Sequence, residues 1–167
     1  FKKIIDAQVL AFSTSSSSAT LPLTMKVAEE KLGVSKGTAN FVLPLGSTVN
    51  MDGTAIYLGI CTVFVAGLTG VDLSFGDYTA VVLTATLASI GAAGVPGVAL
   101  IMMSMVFASV GLPIEAIAII AGVDRLLDMF RTTINVTGDL AISVVIDRSE
   151  GTFDEKTYNS NKSTLKL

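Results

Sequence analysis

Histidine is absent from the 167 residues, cysteine occurs once, and charged side chains make up only 15% of the chain. Without histidine, His-ligated zinc and Ser–His catalytic arrangements are excluded within these residues. The single Cys61 has no partner for an internal disulfide and lies in an apolar run, where it reads as a packing residue. Basic residues are also scarce: 11 Lys and Arg stand against 14 Asp and Glu, for a net charge of -3. No basic block with interleaved aromatics offsets that balance, so nucleic acid is not an expected partner. No nucleophile–base pair is legible, which argues against an enzyme, although paired carboxylates keep acid–base chemistry as a distant rival. The chain starts at Phe1 without methionine or signal peptide and reads as a fragment lacking its upstream part.

Hydrophobic residues make up 51% of the chain, and the mean hydropathy is +0.70. An average soluble domain carries about 25% charged residues, so this chain is unusually apolar. The position of the charges decides what that means. None occurs from Gly53 to Val71, roughly one membrane crossing, and none from Tyr78 to Ile114, close to twice that length. A straight helix over the second run would overshoot the hydrocarbon, so the run is expected to fold back. The expectation is an all-α membrane protein in a lipid bilayer, with the core of a larger soluble enzyme as the rival.

Within this apolar background, Asp124, Asp128, Arg131, Asn135 and Asp139 recur at helical spacing and stack on one stripe. Ionisable groups at membrane depth are costly and normally face a bundle interior or a wet cavity. The stripe therefore marks a place where charged cargo would be handled.

Four units precede a tail. Residues 1–33 form a pair of helical arms broken at Ser13–Ser18, since small hydroxyl residues compete for backbone hydrogen bonds. Residues 37–70 form a crossing interrupted at Asn50–Thr54, where Asn, Asp and Gly together read as unwound backbone. Residues 74–112 form a second hairpin broken at Gly91–Gly97 around Pro96. Residues 114–148 form the helix carrying the stripe, and 149–167 are a polar tail expected to be disordered.

Hairpin followed by interrupted helix occurs twice, the pattern of secondary transporters built from inverted repeats. Charge asymmetry agrees: Lys26, Lys31, Lys36 and Arg148 fall on one side, Asp72, Asp77 and Glu115 on the other, as the positive-inside tendency requires.

Ser15–Pro22, Asn50–Thr54, Ala88–Gly97 and Asp124–Asp139 together resemble the glutamate transporter family, the dicarboxylate/amino acid:cation symporters. A member of that family is itself an example from which the inverted-repeat rule is drawn. The resemblance covers nearly the whole chain up to the tail. It implies the C-terminal core of a prokaryotic-type member: re-entrant hairpin 1, transmembrane helix 7, re-entrant hairpin 2 and helix 8. The implied activity is sodium-coupled symport of glutamate or aspartate by a multi-pass protein of the plasma membrane. The implied assembly is a homotrimer formed through an N-terminal scaffold that this chain lacks. C4-dicarboxylates or neutral amino acids are the rival substrates, and a channel is the rival from another class.

The resemblance also assigns residues. Arg131 would bind the substrate's side-chain carboxylate with its planar fork of donors. Asp128 would take the ammonium, unless the two merely pair with each other. Asn135 and Thr132 would orient the α-carboxylate, helped by backbone amides near Ser16 and Ser17. Thr54 would contact substrate or cap a helix, and Val95 and Ala99 would contribute from hairpin 2. One sodium ion would sit on the Asp139 carboxylate with carbonyls of Gly46, Asn50 and Asn135. A second would use carbonyls of Thr48, Ser89, Ile90 and Ala92. A third would use Asp52 and the Asn50 side chain with groups from an upstream helix. Asp52 and Asp139 have capping of broken helices as the alternative role. The chain departs from the family pattern in two respects: some members carry an arginine where it has Ser15 and others where it has Met129, and it has Ala99 where a family substrate contact uses a glycine in the second hairpin, a change that keeps the backbone NH. Arg125 is the extra arginine nearby.

Overall fold

The computed structural model describes residues 2–160, and every regular element among them is helical. In chain order these are α1 (Ile5–Thr14), α2 (Ser17–Val27), α3 (Lys36–Val49), α4 (Asp52–Thr69), α5 (Phe75–Ile90), α6 (Val98–Ser109), α7 (Ile117–Ser149) and α8 (Glu155–Asn159). A π-helical turn, Ala28–Leu32, prolongs α2, and a 3-10 turn, Ile114–Ala116, precedes α7.

The breaks have local causes. α1 stops at Ser15, which adopts a left-handed backbone at φ 51°, and α2 restarts with the Ser16 hydroxyl accepting the Ala19 amide at 3.1 Å. α3 and α4 are separated only by Asn50 and Met51. The restart there is supported from outside: Asn135 Oδ1 accepts the Gly53 amide at 2.8 Å, satisfying a donor that the start of α4 would otherwise orphan. α5 opens with a capping box in which Ser74 and Asp77 exchange hydrogen bonds. Gly97, at φ 77°, turns the chain into α6.

Two apolar clusters organise the packing. In one, Leu58, Cys61 and Val65 of α4 meet Val81 and Ala85 of α5, Met103 and Phe107 of α6, and Ile120 of α7. In the other, Ala7 and Ala11 of α1 meet Val27, Ala39, Leu43, Val136 and Leu140. Helix α7 joins both, and its polar stripe lies on the stretch between Ile120 and Leu140. Many large apolar side chains point outward instead, among them Phe41 at 72%, Leu87 at 71% and Ile101 at 69% exposure. The segments Lys36–Thr69 and Ile114–Ser149 are long and apolar enough to cross a membrane. α5 and α6, at 16 and 12 residues, rise roughly 24 and 18 Å, short of a hydrocarbon core of about 30 Å.

The expectation of a disordered tail fails for residues 150–160. Asp154 caps α8, and hydrogen bonds from Thr157 and from the Thr157 and Lys156 amides hold its carboxyl below the usual carboxylate range. Arg148 lies over Phe153 and Tyr158, so contacts that composition does not reveal order this segment. The remainder of the expected tail, 161–167, lies outside the described residues.

Candidate functional site

All five stripe residues are buried: Asp124, Asp128, Arg131, Asn135 and Asp139 are each 2–4% exposed. Such burial is tolerable only with partners. Arg131 partners two of the five, Asp128 and Asp124. Its Nη2 donates to Asp128 Oδ1 at 2.6 Å and its Nη1 to Asp124 Oδ1 at 3.3 Å. The guanidinium also lies 4.4 Å from the Tyr57 ring centroid, and the Tyr57 hydroxyl donates to Asp124 at 2.7 Å. Sequence reading missed Tyr57, because a tyrosine in an apolar run carries no mark of its partner. The pairing of Asp128 with Arg131, kept above as an alternative to substrate contact, is present. It does not exhaust either group, since a carboxylate has about four acceptor positions and a guanidinium five donors.

Above this ion cluster the breaks at Ser15–Ser16 and Gly91–Gly97 meet. Ser16 Oγ donates to the Gly94 carbonyl at 2.6 Å, and the Ser18 amide donates to the same oxygen at 3.2 Å. The Gly97 amide donates to Asp128 Oδ2 at 2.9 Å, tying this turn to α7. Gly94 is packed so closely that a Cβ would lie 2.6 Å from Ser18 Oγ and 2.7 Å from the Ser47 carbonyl oxygen.

Between these tips and α7 lies a narrow cleft. Ser17, Thr54, Val95, Asp128, Arg131, Thr132 and Asn135, all candidates from the sequence, line it together. Ser16 stands behind it on Gly94. Ala99 does not join them: it is wholly buried in the α4–α6 cluster, and its neighbour Val98 lines the cleft instead. One position along a helix is a rotation of about 100°, which accounts for the exchange. Thr54 accepts the Asn135 amide nitrogen at 3.4 Å and does not cap α4.

Ser15 also lines the cleft, and sequence reading passed it over. It is 1% exposed, and its hydroxyl is the one buried side-chain oxygen or nitrogen among the described residues without a hydrogen-bond partner. Native proteins rarely leave such a group unmatched. Its backbone, with positive φ for a residue bearing a Cβ, is strained as well.

A second polar centre lies one to two turns further along α7. Asn50 Nδ2 donates to Asp139 Oδ1 at 3.0 Å, beside the break between α3 and α4. Gly46 presses so near that a Cβ would fall 2.5 Å from Asp139 Oδ1, and a Cβ on Gly138 would fall 2.7 Å from Asp52 Oδ2. Asp139 therefore meets a side-chain amide at the break. Asp52 is exposed in a groove shared with Gln8, Thr133, Thr137 and Gly138. Of the other ion candidates, Ser89 and Ala92 are buried at the end of α5, whereas Thr48 is exposed and Ile90 is 45% exposed. Arg125 is exposed and does not reach Asp128; among the described residues it forms no ion pair.

The sodium:dicarboxylate symporter family matches residues 1–149. The chain is 49% identical over 152 residues to an excitatory amino acid transporter of Caenorhabditis elegans, covering 90% of this chain and 30% of that protein. It is 51% identical over 142 residues to excitatory amino acid transporter 3 of Mus musculus, covering 85% and 27%. It is 48% identical over 139 residues to excitatory amino acid transporter 2 of Homo sapiens, covering 83% and 24%. These are animal proteins and lend the prokaryotic-type expectation no support. The chain thus spans 30% or less of the length of these relatives. Since the match takes in every element from α1 to α7, the chain belongs to the sodium:dicarboxylate symporter family, the glutamate transporters.

Proposed function

We propose that the full protein carries out sodium-coupled symport of acidic amino acids, glutamate or aspartate, across the plasma membrane, and that this chain contains its substrate and ion sites. The observation that carries this reading is the buried Asp128–Arg131 pair facing a cleft beneath two helix breaks. Arg131 has donors left for a side-chain carboxylate, and Asp128 retains acceptor capacity for an ammonium. Ser15, Ser17, Thr132 and Asn135 would hold the α-carboxylate and fix its orientation. The relatives' names, excitatory amino acid transporters, favour an amino acid over a C4-dicarboxylate.

Sodium prefers hard oxygen ligands, and unwound backbone provides them. The break at Asn50 and Met51, with Asp139 and Gly46 against it, suits one ion. Carbonyls of Thr48, Ser89, Ile90 and Ala92 would hold a second when the Gly91–Gly97 turn lies over the cleft. Asp52 and Asn50 would hold a third, completed by an upstream helix laid into the groove beside Gln8 and Thr137. Two pairs of helices too short to span, α1–α2 and α5–α6, support a reading as re-entrant hairpins related by an inverted repeat. Assembly as a homotrimer would rest on the upstream scaffold.

The test is uptake of labelled aspartate, glutamate, serine and succinate by the full-length protein in vesicles, with and without an inward sodium gradient. Saturable uptake of the two acidic amino acids that collapses without the gradient is expected. Unsaturable ion flux with no substrate uptake would favour a channel.

A further inference from the structure

Between Ile117 and Val145, α7 carries five ionisable side chains: Asp124, Arg125, Asp128, Arg131 and Asp139. Four are buried in the two polar centres; Arg125 is not. Asp124 points inward to Tyr57 and Arg131, and one further residue, a rotation of about 100°, turns Arg125 outward. There it forms no ion pair among the described residues, and the side chains around it are apolar: Val123 is 56% and Leu126 58% exposed.

The segment Ile114–Ser149 is long and apolar enough to cross a membrane. Within it Arg125 lies about 15 Å along the axis from Glu115 and about 35 Å from Arg148. The outward apolar band already begins at Ile114 and Ile119, 52% and 55% exposed, so Arg125 is set inside that band rather than at its rim. Snorkelling to the interface serves cations near helix ends; a guanidinium placed deeper needs a partner at its own depth.

An anionic oxygen suits a guanidinium, and both a phospholipid and a protein carboxylate offer one. Local shape favours the protein. Ala118, Ala121 and Gly122, one to two turns before Arg125 on the same face, are all exposed, and a Cβ on Gly122 would meet nothing within 4 Å. Small residues at such spacing let a second helix come close. The outward face of α5 differs, presenting the bulky Val82, Leu83 and Leu87. The matched relatives also extend far beyond the region this chain covers, which is 30% or less of their length, so a full-length protein has chain to supply that helix.

We propose that Arg125 is a docking residue: inside the bilayer its guanidinium pairs with an Asp or Glu on a transmembrane helix from the part of the protein outside this chain, seated over Ala118, Ala121 and Gly122. Such a pair sets the rotation of α7 about its axis, because Asp124, the preceding residue, has to face Arg131 and Tyr57. The inference requires α7 to lie in the membrane but does not require symport, so a protein that fails the uptake test still permits its judgement.

The experiment uses purified full-length protein, with stability read as the temperature at which half of the protein is lost from the monodisperse peak. The sign separates the two sources of anion. An arginine facing lipid is a cost, and Arg125→Leu would then leave stability unchanged or raise it. An arginine paired with a carboxylate leaves that carboxylate uncompensated when removed, and Arg125→Leu should lower the midpoint by about 5 °C. In a second arm, the amine introduced by Arg125→Lys is condensed with its neighbouring carboxylate by a hydrophobic carbodiimide, an amide forming with loss of water, and the joined peptides are mapped by mass spectrometry in sodium-free buffer and in sodium plus aspartate. An amide to an Asp or Glu outside this chain is expected in at least one condition, and exchanging charges between that acid and Arg125 should recover the lost stability. A midpoint unchanged or raised in Arg125→Leu overturns the proposal, as does coupling only to lipid, only within this chain or to nothing. If Arg125→Leu is not recovered folded, the charge-preserving Arg125→Lys decides through the coupling arm.

Discussion

Under the proposed function, Arg131 and Ser15 would make separable demands on a ligand. Arg131→Gln keeps a polar side chain but removes the cation between Asp124 and Asp128, so an acidic substrate would face two carboxylates with no counter-charge. Competition assays should show glutamate and aspartate losing affinity by 100-fold or more, on the order of the 3 kcal/mol associated with breaking a buried charge pair. Serine and alanine should lose much less; an equal loss for acidic and neutral ligands would remove Arg131 from substrate selection. Ser15→Ala works in the opposite sense on the protein alone. Deleting a buried hydroxyl that has no partner should leave thermal stability unchanged or slightly raised, while substrate affinity falls by about three- to tenfold. A drop in stability with unchanged affinity would show that the hydroxyl serves the fold. Asp139→Asn, isosteric but neutral, should raise the sodium concentration needed for half-maximal binding while helix content persists by circular dichroism. Retained sodium dependence with lowered stability would return Asp139 to a structural role.

At the scale of elements, the breaks are what the sequence shows most clearly. Serine hydroxyls near Ser15, the Asn-Met-Asp-Gly run at Asn50, and Gly91, Gly94, Pro96 and Gly97 all act through local backbone preferences, which a reader of one sequence can weigh. The stripe on α7 is legible for a similar reason, because helical spacing alone puts Asp124 to Asp139 on one face. Tyr57, the solitary Ser15 hydroxyl and the exchange of Ala99 for Val98 are not legible, since each depends on which helix lies opposite. The π-helical turn at Ala28–Leu32 and the order of 150–160 depend likewise on distant partners: Asp6, Lys3, Gly33 and Arg148. The tight fit at Gly94 gives the prediction for these elements. Gly94→Val would drive a side chain into Ser18 and the Ser47 carbonyl and hold the two tips apart. Sodium and substrate binding should weaken together, and a fluorophore on the Gly91–Gly97 turn should no longer report closure when both are added. Normal closure in that variant would mean that Gly94 only permits close packing.

For the whole molecule, the proposed function requires the two polar centres on α7 to answer to each other. The Arg131 cleft and the Asp139 centre lie within three turns on α7, and Asn135 stands between them, bonded to the restart of α4 through Gly53. An ion that orders the break at Asn50 also orders the donors and acceptors facing the cleft, so each ligand should raise the affinity for the other by the same factor. The full-length protein is the right object for this test, because the chain spans 30% or less of the length of its relatives. Titrate aspartate at a series of sodium concentrations, and titrate sodium at a series of aspartate concentrations, by equilibrium binding to the purified full-length protein. The account predicts that aspartate affinity rises steeply with sodium, that sodium affinity rises reciprocally with aspartate, and that Asp139→Asn flattens both. Aspartate binding that is tight and independent of sodium would contradict it.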